Sequence, residues 1–113
     1  MYKEIFKDTK YPSLLDTIDI LEISELPPWN FIKEKYDFWK DGFNKVNLFE
    51  YAPFARMIND DVIATFNIKI QSDEIYLFLL PIFSSSVPFK KLENINAWLT
   101  LALEDCHQYL IEF

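Results

Sequence analysis

Cys106 and His107 stand side by side, and a thiol beside an imidazole is the starting material of a nucleophilic site. Neighbouring residues on a helix point about 100° apart, however, and His107 is the chain's single histidine. The pair is expected to be a buried thiol beside a solvated imidazole. Asp60 and Asp61, with Glu50 or Asp73, have the oxygen ligands a hard cation takes, but adjacent carboxylates in an Asn-Asp-Asp turn lack the spaced ligand series of a calcium loop. A single glycine, Gly42, leaves no glycine-rich loop to cradle phosphates. One cysteine excludes an intrachain disulfide and any zinc site built from several thiolates. Paired carboxylates could still work as acid and base in glycoside hydrolysis, and eighteen acidic residues supply many pairs. A chain of 113 residues has little material to shape a substrate cleft around them. The expectation is therefore no enzyme, no cofactor and no metal.

Binding is the better reading. Acidic residues outnumber basic ones eighteen to eleven, and the net charge of -7 repels nucleic acid and anionic lipid while favouring a basic protein partner. Eleven phenylalanines, six tyrosines and three tryptophans exceed what so small a domain readily buries, so some should reach the surface, where aromatics rimmed by charge form binding hot spots. Trp39 and Trp98 fall on apolar helical stripes and belong to the core; Trp29, beside two prolines, is the surface candidate. Arg56, the only arginine, either anchors a partner bidentately or, as we favour, pairs with Glu50 or Asp60 to hold strand register. Trp29, Glu50, Arg56, Asp60 and Asp61 are thus the candidate partner-binding residues. Monomer and homodimer are both open.

The length suits one domain, 1–113, and with half its residues hydrophobic the chain should fold throughout. No apolar run approaches the roughly 18 residues of a membrane span, and the first residues lack a signal-peptide core. With the lone thiol, this suggests a cytoplasmic protein. Ser13, with Asp16 three residues on, resembles a capped helix start before Leu14, Leu15, Ile18 and Leu21, and Pro27-Pro28 should stop that helix. Ile32, Tyr36, Trp39, Phe43 and Val46 recur at helical spacing and predict an amphipathic helix over 31–46, with Gly42 ending or loosening it early. Val62, Ala64, Phe66 and Ile68 alternate with Ile63, Thr65, Asn67 and Lys69, which predicts a strand with one face on the core. Gln71-Ser72-Asp73 should turn it into an inner strand over 75–82. A strand over 49–57 precedes them through Asn59-Asp60-Asp61, with Pro53 requiring an edge, a bulge or a break. After the Ser84-Ser85-Ser86 loop, Ile95, Trp98, Leu99, Ala102, Cys106 and Leu110 predict a closing helix from about residue 94. The fold class is α+β: a mainly antiparallel sheet of at least three strands, packed by helices, with a helix at the C-terminus.

Ala52-Pro53-Phe54-Ala55-Arg56, Asn59-Asp60-Asp61 and Ile63-Ala64-Thr65-Phe66-Asn67 together resemble the SUKH superfamily, small α+β proteins related to a yeast regulator of cell-wall synthesis. Trp29-Asn30-Phe31-Ile32 upstream and a final helix running from Trp98 to Ala102-Leu103-Glu104-Asp105 extend the resemblance over about residues 26–105. The family usually carries more glycine, with an Asn-Gly pair where this chain has Asp41-Gly42. The resemblance implies helices on an antiparallel sheet and a binding scaffold. Many bacterial relatives look like immunity proteins that neutralise polymorphic toxins by direct contact, which suggests a basic toxin domain as partner; a regulatory or scaffold role in a host pathway is the alternative.

Overall fold

The structure is a computed structural model that describes residues 2–7, 9–70 and 72–112. Six strands form one antiparallel meander in chain order: β1 (Glu25–Leu26), β2 (Trp29–Phe31), β3 (Tyr51–Met57), β4 (Val62–Asn67), β5 (Ile75–Leu79) and β6 (Lys90–Leu92). Among the described residues four helices flank it: α1 (Tyr2–Ile5), α2 (Leu14–Ile20), α3 (Tyr36–Lys45) and α4 (Ile95–Glu112). The α+β class, the antiparallel sheet and the C-terminal helix are as the periodicities predicted. None of the helices among the described residues is long and apolar enough to cross a membrane.

The sheet is covered on both faces. One face, with Val62, Ala64, Phe66, Ile75 and Leu77, packs under Tyr2 and Phe6, Leu15 and Ile18 of α2, and Trp98 and Ala102 of α4. The other, with Ile63, Tyr76 and Phe78, packs under Phe43, Tyr36 and Trp39 of α3. The expected one-sided β4 is thus corrected: Ile63 and Thr65 are fully buried, because α3 lies over the face that alternation assigned to solvent. Thr65 tolerates this by donating its hydroxyl to the Tyr76 carbonyl at 2.9 Å.

Pro53 sits inside β3 opposite Thr65 of β4, beyond the last β2 pair of Phe31 with Ala55, and the register slips between Pro53 and Ala55. A bulge is one of the three accommodations the sequence required. Its consequence is a change of face. Ala52 and Phe54 meet the α4-side core, and after the extra residue so do Ala55 and Met57, which leaves Arg56 on the α3 side.

Two helix boundaries move. Residues Phe31 and Ile32 carry helical spacing, yet Phe31 pairs with Ala55 and the Ile32 amide donates to the Phe54 carbonyl at 2.8 Å, so α3 starts only at Tyr36. Helix α2 stops at Ile20, with Glu22 at φ 55°, well before Pro27-Pro28; those prolines form the turn between β1 and β2. Ser13 makes no side-chain cap, whereas Asn94 accepts from the Ala97 amide at 2.9 Å and caps α4. In the β4–β5 connection, Gln71 lies outside the described residues. Edge strands β1 and β6 escaped the sequence reading because they are short and charged, with Glu25, Lys90 and Lys91, a composition that also discourages edge-to-edge pairing. Along α4, Trp98 and Ala102 are buried, but Leu110 at the end of the predicted stripe is 65 % exposed.

Asp19 fastens the N-terminal helices to the sheet side of the molecule. Burial disfavours its charge, but the Tyr2 amide at 2.6 Å and the Lys33 ammonium at 3.2 Å help to hold its carboxyl below the usual aspartate range. A depressed folded-state value gives stability that is complete above the unfolded value and lost as pH falls through the folded one. Below about pH 4 the native protein should therefore lose stability more steeply than Asp19→Asn, as read from denaturant midpoints across a pH series.

Gly42 lies inside α3, not at its end, with no left-handed φ, and a β-carbon there would meet nothing within 4 Å. Gly42→Ala should raise stability by about 0.5–1 kcal/mol in urea unfolding, since it lowers the entropy of the unfolded chain and clashes with nothing.

Candidate functional site

Trp29 is buried at 1 % exposure, which corrects its expected place at the surface. Alternation along β2 sends Trp29 and Phe31 into the core while the intervening Asn30 faces the other way. There Trp29 stacks edge-on against Trp98, ring centroids 5.4 Å apart. Its indole Nε1–H reaches outward and donates to a carboxylate oxygen of Asp105 on α4 at 3.0 Å. The tryptophan expected to touch a partner instead positions a carboxylate that can.

Asp105 belongs to a shallow groove of about 240 Å³ between α4 and the β3–β4 turn. Asp60 and Asn59 line it from the turn; Asp105, Gln108, Tyr109 and Glu112 line it from the helix; Pro28 and Met57 complete it. Three carboxylates and no basic side chain border the groove. Gln108, Tyr109 and Glu112 lie three, four and seven residues after Asp105, so a single polar stripe of α4 supplies that wall. That stripe was the available signal for Asp105 and Glu112, which the sequence reading passed over in favour of the apolar stripe beside it.

The five candidate residues do not gather. Asp60 is in the groove, with Trp29 behind it. Asp61, at φ 50° in the same turn, lies 3.8 Å from the Arg56 guanidinium, so the partner of Arg56 is neither Glu50 nor Asp60. Arg56 also stacks over Trp39 of α3, 5.0 Å from its ring centroid. Glu50 precedes the far end of β3, six residues and roughly 20 Å of extended chain from Arg56, beside Lys40 of α3. Lys40 donates to the Phe49 carbonyl at 2.8 Å, and burial, partly offset by Glu50, lowers its pKa. Glu50 therefore lies beside α3, away from the groove.

Cys106 is half-buried and His107 exposed. No group of three or more histidine, cysteine, aspartate or glutamate side chains suited to a metal forms among the described residues. The tyrosines with strongly shifted titration are held structurally. Burial pushes Tyr76 up to about 12, helped by its 2.7 Å hydrogen bond to Glu74, and burial likewise raises Tyr36 to about 12. No protein-family model, curated protein or solved structure matches the chain.

Trp29→Phe keeps most of the ring packing but removes the donor to Asp105. It should cost about 1–2 kcal/mol in denaturant unfolding, more than Asp105→Asn, which retains an oxygen to accept the indole N–H.

Proposed function

We propose that this chain is a protein-binding module of the immunity type, which neutralises a basic toxin domain by direct contact in the cytoplasm. The observation that carries the reading is the groove of Asp60, Asp105 and Glu112, whose central carboxylate is fixed from beneath by the buried indole of Trp29. A carboxylate held by a rigid donor is already oriented before a partner arrives, so docking a lysine or arginine orders fewer side chains. The net charge of -7 adds a longer-ranged attraction for a basic surface, and the resemblance to SUKH immunity proteins points to the same class of partner. A single, half-buried thiol suits a reducing compartment.

The test is capture of partners from the host lysate by the tagged protein at low and high salt, followed by binding kinetics with the partner recovered. One basic, toxin-like protein released by salt is the expected outcome. The combined Asp60→Asn, Asp105→Asn and Glu112→Gln variant should then associate about tenfold more slowly at low salt, with the difference shrinking as salt rises. Unchanged kinetics would remove the groove from the interface. Recovery of host proteins alone would favour a regulatory domain.

A further inference from the structure

On the α3 side of the sheet, away from the acidic groove, a cleft of about 410 Å³ opens between β2, β3 and the start of α3. Its volume falls in the range of small-molecule sites, roughly 300–1,000 Å³. Ile32 and Trp39 supply apolar lining, and Asn30, the cross-strand neighbour of Arg56, supplies an amide. In a chain of net charge -7 this cleft is locally basic: Lys33, Lys35 and Arg56 line it against one acid, the exposed Glu34.

The cations are not equally engaged. Lys33 is committed to Asp19 at 3.2 Å and to the Ile23 carbonyl at 3.0 Å. Arg56 is not. Its guanidinium stacks on Trp39, its Nε is shut off from solvent with no hydrogen-bond partner, and its contact with Asp61 is 3.8 Å, longer than a hydrogen bond. Asp61 is itself 63 % exposed, so solvent weakens that pairing further. A guanidinium carries five donors in a planar fork, and one placed over an aromatic face with only a long contact to an exposed carboxylate is prepared for a planar anion. A buried donor left unsatisfied, here Nε, calls for an explanation.

We propose that this cleft binds a small organic carboxylate: the carboxylate pairs with the Arg56 fork, and an apolar body lies against Trp39. A carboxylate matches the fork bidentately at about 2.7–2.9 Å, which Asp61 does not attain. The apolar lining selects an organic acid over an inorganic anion. The site is independent of the acidic groove, since the bulge at Pro53 turns Arg56 to the opposite face from the Trp29–Asp105 contact.

Arg56 is the sole arginine of the 113 residues, so this chain gives one arginine Nε–H resonance in a proton–nitrogen spectrum, beside three indole resonances. Arg56→Lys and Trp39→Phe assign the two signals of interest. Titration with 3-phenylpropionate should move the Arg56 Nε–H and Trp39 indole signals saturably, with half-saturation on the order of millimolar, while the Trp29 and Trp98 indoles stay in place. The neutral 3-phenylpropanol and inorganic phosphate should leave all four unmoved. Arg56→Lys should weaken binding by about tenfold or more. Asp61→Asn keeps a side chain that tolerates the left-handed backbone, removes the competing charge and should tighten binding. No saturable shift in the unaltered protein, an equal response to the alcohol or to phosphate, or undiminished binding by a folded Arg56→Lys variant would overturn the proposal.

Discussion

Pro53 has no amide hydrogen to give, and the chain sets it within β3, opposite Thr65 of β4 and just past the last pairing with β2. The sheet accommodates it by a one-residue slip, and because side chains alternate with a period of two, that slip exchanges the faces of everything beyond it in β3. Ala55 and Met57 join the core under α4, and Arg56 is delivered to α3. In an unbroken strand, Arg56 would share the face of Ala52 and Phe54 and carry its charge into the aromatic core. The bulge therefore keeps the only guanidinium out of the apolar layer and against Trp39, and it aligns the end of β3 so that the Asn59–Asp61 turn overhangs α4.

The second constraint is aromatic. Trp29, Phe31 and Phe54 surround Trp98 with edge-on contacts at 5.0–5.8 Å, which joins β2, β3 and α4 into one packed unit. With most apolar area committed to this layer, α4 can present a polar stripe outward, and the indole N–H of Trp29 finds its partner on that stripe at the rim. Core and groove are thus two sides of the same contact. The sheet's opposite layer, beneath α3, depends less on tryptophan and more on Phe43, Phe78 and Tyr51 stacked edge to face. Because each layer has its own helices, the acidic groove and the Arg56 cleft can be served by separate structural units within one small domain.

Much of this architecture was legible in the residues. The alternation at 62–68, the apolar run from Ile75, the helical spacing of Trp39 with Phe43, and that of Trp98 with Ala102 each mark an element that forms. Pro53 announced an irregularity in the strand that contains it. What sequence reasoning misjudged shares one physical cause: Phe31 and Ile32 obey a helical period, and Ile63 and Thr65 an amphipathic strand's, but backbone pairing with β3 and coverage by α3 overrode both local patterns.

Local chemistry by itself determined the α+β class, the positions of the main strands and helices, the acidic balance and the scarcity of residues suited to nucleophilic or metal chemistry, because composition and periodicity act over a few residues. The tertiary structure decided which faces are wet. It buried Trp29, parted Asp60 from Asp61, gave Arg56 to Trp39 and not to Glu50, and set Asp105 beside a turn 45 residues earlier in the chain. Those outcomes depend on sheet register and on which helix covers which layer. Both are settled by contacts between segments far apart in sequence, and no short window of residues contains them.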